Sequence, residues 1–458
     1  MSLKLNKINE KSFELLKKIV NPINIFWFRR DLRLEDNHGL YQALNSEYPV
    51  LALFIFDTII LDELNDKSDA RVSFIHQQLN QIDKKLKLNN SSLLVLCGDP
   101  EKIWCDIYHL LNIHTVYTNN DYEPYAIARD EKIKKILKKG NVHYKSYKDQ
   151  VVFEKDEILT REGKPYTVYT PYKKRWLEIF KIKDVNQYSS EKLSGNFVNN
   201  INLLIPALQD IGFQKSLIDI PDKAPEVGLI KTYHLNRDYP AREATTRLGI
   251  HLRFGTTSIR SLVDLGMNTN ETWLSELIWR EFFMMILWHF PHVEQEPFKK
   301  QYSGIQWRND KAEFELWCQG KTGYPLVDAG MRELNSTGFM HNRVRMVTAS
   351  FLTKHLLIDW RWGEHYFAEK LLDFELASNN GNWQWAAGCG CDAAPYFRVF
   401  NPEIQLKKFD PALEYVKKWI PEFGTDKYPE PIVDHKYARE RVLSVYKTAI
   451  NKYNLNTT

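Results

Sequence analysis

The stretch NNGNWQWAAGCGCDAAPYFRVFNP, residues 379–402, says more about the fold of this chain than any other segment. It combines two Trp, one Tyr and two Phe with Asn, Gly and Ala, and its only charged residues are Asp392 and Arg398. Its apolar positions follow neither the period of a helix nor the alternation of a strand. Small residues allow close approach to a flat ligand, which indole and amide groups can contact and hydrogen-bond. The alternative is a buried aromatic turn without a ligand.

The composition is that of a globular protein with two domains. The chain has 458 residues, of which 43% are hydrophobic and 26% are charged. Its most apolar run, residues 277–290, contains Arg280 and Glu281 and therefore predicts a buried helix instead of a membrane span. The first 20 residues mix Lys with Glu and lack the apolar core of a signal peptide.

The cysteine content and the distribution of charge indicate the cellular compartment and the possible ligands of the protein. Five cysteines, an odd number, argue against a disulfide framework and favour a reducing compartment, so we expect a cytoplasmic protein, at the nucleoid if it is bacterial. Cys389 and Cys391 have no further ligands nearby in sequence, and we predict no metal site. The net charge is only +4, but residues 231–260 hold six basic and two acidic residues, a local excess of four. That segment could contact phosphates or form a solvated face.

Strands and helices alternate in the first part of the chain, which predicts an α/β domain with a parallel, Rossmann-like sheet of five strands. No G-x-G-x-x-G follows the first strand, so the dinucleotide fingerprint is absent. The predicted strands are residues 23–28, 50–56, 93–97, 115–118 and 142–147, and helices are predicted at 70–88 and 100–111.

The second part of the chain has a helical pattern. Residues 150–225 are irregular and predict a long connector, and from about residue 226 the pattern is helical to the end. We expect DFELASNNGNW, residues 373–383, to end one helix and Pro402 to interrupt another. The predicted division is an N-terminal extension at 1–22, an α/β domain at 23–148, a connector at 149–225 and a helical domain at 226–458.

Two short motifs each allow a functional and a purely structural interpretation. Residues 245–249 (TTRLG) predict a hydroxyl-rich loop that opens a helix, where a phosphate can bind, and the alternative is an ordinary helix cap. Asp373 and Glu375 are two residues apart, so on a helix they would point in different directions, and helix-end salt bridges are the alternative to acid–base chemistry.

Together these motifs resemble the photolyase/cryptochrome family, and most closely its class I cyclobutane pyrimidine dimer photolyases. Residues 1–23 and the region around 180–230 match poorly. Besides residues 379–402, the resemblance rests on NIFWFRRDLRLEDN (24–37), TTRLGIHLRFGTTSIR (245–260), WLSELIWREFF (273–283), KTGYPLVDAGMRELNSTGFMHNRVRM (321–346) and LLIDWRWGEHYF (356–367).

The resemblance implies an α/β antenna domain followed by an all-α FAD-binding domain. It also implies a monomeric carbon–carbon lyase, a deoxyribodipyrimidine photo-lyase, which binds DNA containing pyrimidine dimers. Reduced FAD would absorb light and pass an electron to a flipped-out dimer, whose ring then splits. Met346 stands where 6-4 photolyases have a His suited to proton transfer. That position favours the cyclobutane dimer, and a 6-4 photolyase and a cryptochrome photoreceptor remain the alternatives.

The same resemblance implies roles for individual residues. Asn379 would face flavin N5, Asp373 would pair with Arg345, and Glu375 stands where relatives often carry Asp. Electrons would pass from Trp307 through Trp360 to Trp383. The implied FAD-binding residues are Tyr233, Thr245, Thr246, Arg247, Leu248, Gly249, Trp273, Arg280, Asn342, Arg345, Asp373, Glu375 and Asn379. The implied dimer- and DNA-binding residues are Arg237, Glu276, Trp279, Asn342, Arg343, Met346 and Trp385, and Glu276 would also act in catalysis.

The identity of the second, light-harvesting chromophore stays open. Folate-binding relatives have Asn-Glu where this chain has Tyr125-Ala126, and Cys-Lys where it has Val293-Glu294. The polar anchors for a folate are therefore missing, and a deazaflavin, another chromophore or none fits the sequence.

Overall fold

The structure is a computed structural model that describes residues 2–183 and 185–457. Helix α1 (Ser2–Leu16) precedes a sheet whose five strands alternate with helices. The strands are β1 (Ile23–Phe28), β2 (Val50–Asp57), β3 (Leu93–Gly98), β4 (Ile113–Asn119) and β5 (His143–Tyr147), and the helices among them are α2 (His38–Leu44), α3 (Thr58–Leu61), α4 (Ala70–Lys87), α5 (Pro100–Leu110) and α6 (Pro124–Lys139).

The predicted parallel sheet of five strands is confirmed. Its order is β3-β2-β1-β4-β5, and every neighbouring pair is parallel. β1 and β2 are buried along their whole lengths, as their unbroken apolar sequences require. The edge strand β5 is largely exposed and accordingly polar.

Short polar side chains begin the helices that follow the strands. The side chains of Asn37, Asp57, Asp69 and Asp99 accept hydrogen bonds from backbone N–H groups in the first turns of α2, α3, α4 and α5. Each cap satisfies a backbone donor that the helix itself cannot. The caps therefore fix where the chain leaves a strand and turns into a helix.

The rest of the chain is mostly helical, as predicted. The stretch predicted as an irregular connector nevertheless contains a helix, α7. The helices are α7 (Tyr169–Phe180), α8 (Val227–Asn236), α9 (Gly249–Arg253), α10 (Ile259–Thr269), α11 (Glu271–His289), α12 (Lys311–Gln319), α13 (Pro325–Thr337), α14 (Asn342–Ser350), α15 (Trp360–Lys370), α16 (Leu376–Ala387), α17 (Pro402–Phe409), α18 (Glu414–Trp419) and α19 (His435–Thr457). A π-helical turn (Phe351–His355) follows α14, and 3₁₀ turns lie at Lys155–Glu157, Ser190–Asn196, Leu208–Ile211, Pro291–Glu294 and Lys300–Tyr302.

Two local predictions were wrong. Residues 376–387 form α16 instead of ending a helix, and Pro402 begins α17 with Asn401 as its cap instead of interrupting a helix. Buried residues lie around much of α16, so its sequence lacks the apolar stripe of a surface helix. Gly381 has a packing role there, because an added Cβ would lie 2.2 Å from the ring of Phe283 in α11.

By packing, the chain forms two compact units. The first comprises residues 1–154, 180–223 and 248–265, and contains the sheet. The second comprises residues 155–179, 224–247 and 266–458, and contains α8 and the helices from α11 onward. Unlike the predicted domains, the two units are not continuous in sequence. Residues 155–179 pack with the second unit and residues 248–265 with the first.

A large hydrophobic cluster fills the second unit. Trp317, Trp360 and Trp383 belong to it and have almost no exposed surface. The predicted buried helix at residues 277–290 is confirmed as part of α11, most of whose residues are buried. Within the described part of the chain, no helix combines the length and the apolar character needed to cross a bilayer.

Candidate functional site

Helix α16 carries three of the predicted site residues. Asn379 and Trp383 are buried and four residues apart, so they lie on the same side of the helix. Trp385, in the last turn, is partly exposed, and its ring lies 6.5 Å from that of Phe400. The helix thus connects a buried polar group to an accessible indole.

Asn379 is held by Glu364, a residue of α15. Its Nδ2 donates to the backbone oxygen of Glu364 at 3.0 Å and to the carboxyl Oε1 at 2.9 Å. Burial raises the pKa of Glu364, although the Asn379 hydrogen bond opposes this. With its N–H groups directed to Glu364, Asn379 has its carbonyl oxygen left to meet a ligand.

Asp373 lies in the turn before α16 and pairs with Arg345. Arg345 Nη2 is 3.0 Å from Asp373 Oδ2, and Arg345 Nε donates to the backbone oxygen of Met340 at 2.7 Å. The other carboxylate oxygen, Asp373 Oδ1, is buried and accepts no hydrogen bond from the described residues. A buried acceptor without a donor is costly, so Oδ1 is a natural contact for an N–H group of a ligand.

Glu375 forms the second ion pair of the site. It is the N-cap residue of α16, but its side chain makes no capping bond. Its Oε1 instead lies 2.9 Å from Arg280 Nη2, and its Oε2 accepts from Ser378 Oγ at 3.1 Å. Neither Asp373 nor Glu375 lies within a helix, so the expected divergence of two helical carboxylates does not arise. Each acid pairs with a different arginine.

The hydroxyl-rich loop has a strained backbone. Arg247 has a φ of +49°, a left-handed conformation that costs energy for a residue other than glycine. Its guanidinium lies 4.5 Å from the ring of Phe339. Trp273 Nε1 donates to Thr246 Oγ1 at 3.5 Å, and Thr245 is partly exposed.

The loop does not provide the ordinary hydroxyl cap considered from the sequence. Leu248 is the N-cap residue of α9, with no side-chain hydrogen bond, and Gly249 begins that helix. Leu248 and Gly249 belong to the first unit, whereas Thr245, Thr246 and Arg247 belong to the second. In the second unit, Asn342 is the exposed first residue of α14, after the capping residue His341.

Glu276, in α11, is paired with a residue of the basic segment. Arg237 Nη1 lies 2.5 Å from Glu276 Oε1. Burial raises the pKa of Glu276, while Arg237 and a hydrogen bond from Tyr233 lower it. The guanidinium of Arg237 also lies 5.5 Å from the ring of Tyr233. The carboxyl group is therefore fixed in place and oriented by two neighbours.

Arg343 is likewise bonded within the protein. Its Nη2 lies 2.6 Å from Asp238 Oδ1, and its guanidinium stacks at 4.4 Å on the ring of Phe409. Its Nη1 lies 3.7 Å from the sulfur of Met346. Both arginines predicted to contact DNA thus have acidic partners in this structure.

Trp279 offers the other accessible indole. It is partly exposed in α11, and the ring of Tyr169 stacks on it with centroids 3.6 Å apart and planes 9° apart. Phe282 and Phe283 lie 5.6 and 5.4 Å from it. The aromatic surroundings fix the plane of the indole.

The three tryptophans of the predicted electron path share one hydrophobic cluster. Trp360 and Trp383 are buried, whereas Trp307 is partly exposed, with its ring 6.1 Å from that of Tyr446. Trp383 has edge-to-face contacts with Phe367 at 5.0 Å and with Trp317 at 6.1 Å. The set therefore extends from the interior to an accessible position.

Sequence reasoning missed Glu364 and Tyr169. Glu364 lies 15 residues before Asn379, and Tyr169 lies 106 residues before Ser275, to whose backbone oxygen its hydroxyl donates. No spacing pattern relates residues so far apart. Glu364 lies within the quoted motif at residues 356–367, whereas Tyr169 lies in the predicted connector, where no motif marked it.

At each of the two antenna positions, one residue forms hydrogen bonds within the protein. In the first unit, Tyr125 donates from its hydroxyl to Asp57 Oδ2 at 2.7 Å, and Ala126 is buried. In the second unit, the backbone oxygen of Val293 accepts from Asn380 and Gln384, both at 2.9 Å.

Comparison with known proteins identifies close relatives. The family described as the FAD binding domain of DNA photolyase matches residues 273–426, and the one described as DNA photolyase matches residues 24–190. A deoxyribodipyrimidine photo-lyase of Halobacterium salinarum is 34% identical, over 93% of this chain and 99% of its own.

Solved structures agree in fold. A bacterial class III photolyase from Agrobacterium tumefaciens has a TM-score of 0.81 and 32% identity, covering 94% of this chain and 98% of its own. An archaeal photolyase from Sulfolobus tokodaii, crystallised with two FAD molecules, has a TM-score of 0.77 and 34% identity, covering 93% of this chain and 100% of its own.

Proposed function

The chain belongs to the DNA photolyase family, with its α/β and FAD-binding parts both matched, and we propose that it repairs cyclobutane pyrimidine dimers in DNA with light. It is a flavoprotein lyase of this family. The observation that carries the proposal is the polar arrangement before and along α16. There, Asp373 Oδ1 and the carbonyl of Asn379 are acceptors that the described residues leave for a ligand.

FAD fits these groups. The isoalloxazine ring has N–H donors at its polar edge and, when reduced, at N5. Asp373 and Asn379 provide two acceptors for these donors. Asp373 is charged and paired with Arg345, whereas Asn379 is neutral and fixed by Glu364. Tyr233, Thr245, Thr246, Trp273 and Arg280 complete the proposed binding residues in the second unit.

Bound in its reduced form, FAD supplies the light-excited electron that opens the cyclobutane ring. The protein holds the dimer against it. Trp279 and Trp385 provide aromatic surface for the two bases, and base–aromatic stacking contributes about 1–3 kcal/mol per base. Met346 and Asn342 border the same pocket in our assignment.

Glu276 is proposed to hydrogen-bond a thymine of the dimer. Burial raises the pKa of this carboxyl group, while Arg237 and the hydrogen bond from Tyr233 lower it. Arg237 fixes the carboxyl group from the other side. The residue would therefore stabilise negative charge on the dimer more than it strengthens initial binding.

Trp383, Trp360 and Trp307 are proposed to conduct electrons from the surface to the flavin pocket. Their common hydrophobic cluster and the partial exposure of Trp307 support this assignment. Burial protects the two inner indoles from reaction with water.

Arg237 and Arg343 are proposed to contact phosphates beside the lesion. Each must then share its charge between DNA and an internal carboxylate, Glu276 or Asp238. We therefore expect a smaller effect of each arginine on affinity than an unpaired cation would have, although each phosphate contact should still contribute to salt dependence.

A 6-4 photolyase and a cryptochrome photoreceptor are the competing functions. Met346 has no titratable proton, which disfavours the first, and the aromatic and acidic pocket around Glu276 favours repair over the second. Oligonucleotides with one cyclobutane dimer or one 6-4 photoproduct separate the three functions. The reduced protein should restore thymines from the dimer alone, and failure on both substrates would favour a photoreceptor.

Three further proposals concern the oligomeric state, the cellular location and the second chromophore. We propose a monomer that acts in the cytoplasm, at the nucleoid if the source is bacterial. Since Tyr125 already bonds Asp57, we propose that no folate binds at the usual anchors, and chromophore extraction would test this.

A further inference from the structure

Tyr169 is the first residue of α7, and three of its contacts lead to two other parts of the second unit. Its ring stacks on Trp279 with centroids 3.6 Å apart and planes 9° apart. Its hydroxyl donates to the backbone oxygen of Ser275 at 2.8 Å. Its backbone N–H donates to Asp392 Oδ2 at 3.1 Å. Tyr169 thus links α11, which bears Trp279, to the loop after α16.

The stack with Trp279 is close and nearly parallel. Tyr169 is only 8% exposed, whereas Trp279 remains partly exposed. Tyr169 therefore covers one face of the indole, Phe283 lies 5.4 Å away with its plane at 29°, and a base can reach only the surface that these two rings leave open. An indole packed on one face has fewer orientations available than a free one, so less ordering is needed when a base binds.

The other two contacts hold the tyrosine in register. The hydroxyl group donates to the backbone oxygen of Ser275, which comes one residue before Glu276 and one helical turn before Trp279 in α11. This bond fixes the position of the ring relative to α11. Burial raises the pKa of Tyr169, so the hydroxyl stays a donor at neutral pH. Asp392 accepts from the first N–H of α7, where the helix dipole favours a carboxylate.

We propose that Tyr169 is a positioning residue of the dimer pocket: it fixes the plane of Trp279 and, through Asp392, ties the loop after α16 to that indole. The proposal rests on the proposed function, because it assumes that a base of the lesion contacts Trp279. Tyr169 itself acts through Trp279 and need not touch the substrate.

The test compares affinities of the FAD-loaded protein for dimer-containing and undamaged DNA. Tyr169→Met fills much of the space without a flat ring, and Tyr169→Phe keeps the ring. Aromatic pairs contribute enough to affect affinity about two- to tenfold. We expect Tyr169→Met to lower the preference for dimer DNA by that factor and Tyr169→Phe to lower it less than twofold. Tyr169→Leu replaces Tyr169→Met if the latter does not retain FAD.

A matched control is Tyr166→Met in the same segment, since Tyr166 contacts the ring of Tyr172. It should leave the preference unchanged. The decisive comparison repeats Tyr169→Met in a Trp279→Ala background. If Tyr169 acts through Trp279, the substitution has less than a twofold effect there.

An equal effect of Tyr169→Met in both backgrounds would overturn the proposal, as would an unchanged preference in the single variant. A wild-type protein with no preference for dimer DNA would instead overturn the proposed function. The two failures are therefore distinguishable in one set of titrations.

Discussion

Replacing Asp373 tests the flavin assignment through one oxygen atom. Asp373 Oδ2 is bonded to Arg345, but Oδ1 is buried and has no donor among the described residues. If an N–H of the isoalloxazine supplies that donor, binding of FAD forms a hydrogen bond to a charged acceptor. Such a bond contributes about 1.5–3 kcal/mol. Asp373→Ala should therefore weaken FAD binding about 10- to 100-fold.

The isosteric change gives an intermediate result. Asp373→Asn keeps an acceptor, but a neutral one whose hydrogen bond contributes about 0.5–1.5 kcal/mol. The difference of roughly 1–1.5 kcal/mol corresponds to about a five- to tenfold loss of affinity. The stability of the protein without FAD is measured for each variant as well, because both side chains of the Asp373–Arg345 pair are only 24% exposed and the loss of Asp373 leaves Arg345 without that partner.

The assay is a titration of the apoprotein with FAD, followed by flavin fluorescence. Asp359→Asn is the matched control, because Asp359 also pairs with an arginine, Arg361, at 3.0 Å and caps α15. Asparagine caps a helix as well as aspartate does, so this variant should bind FAD like the wild type. An Asp373→Ala protein whose FAD dissociation constant stays within twofold of the wild-type value would refute the assigned contact.

Three further outcomes are expected. Trp383→Phe should abolish photoreduction of bound oxidised FAD but leave repair by chemically reduced enzyme nearly unchanged, and normal transient absorption in this variant would remove Trp383 from the path. Glu276→Ala should lower the quantum yield of repair more than the affinity for dimer DNA, whereas equal losses in flash repair and in binding titration would make Glu276 a binding residue only. Burial and the charges of Arg345 and Arg343 lower the pKa of His341 to about 4, so the unfolded chain takes up the proton first as the pH falls from about 6.5 to 4. Stability should fall in that window by up to about 3 kcal/mol, and urea unfolding of His341→Asn should lack this loss.

The strands β1, β2 and β3 could be predicted because they are short apolar runs bounded by turn residues. β1 and β2 are buried on both faces, and for that reason their sequences are nearly unbroken apolar runs. The long helix α11 could be predicted because a run as apolar as residues 277–290 has to be buried. Local patterns sufficed wherever burial was uniform along an element.

Helix α16 was missed for a physical reason. Its side chains are buried in several directions, and Gly381 is there because the ring of Phe283 leaves no room for a Cβ. Asparagine and glycine ordinarily mark helix ends, but in α16 Asn379 and Asn380 bond to other elements. Tertiary contacts thus override the local signal.

The site was predictable only in part. The resemblance suggested the pairing of Asp373 with Arg345, which the structure contains at 3.0 Å. It did not suggest that Glu364 orients Asn379 or that Asp238 engages Arg343. These contacts join residues that are distant in sequence, and their geometry depends on how the helices pack.

The most direct test of the account is an action spectrum of dimer repair. The reduced protein is mixed with an oligonucleotide containing one cyclobutane thymine dimer, and restored thymines are counted by chromatography at each wavelength and in the dark. We predict repeated turnover that follows the absorption of reduced flavin, with none in the dark. The central claim would be contradicted if light restored no thymines, or if the dark sample restored as many.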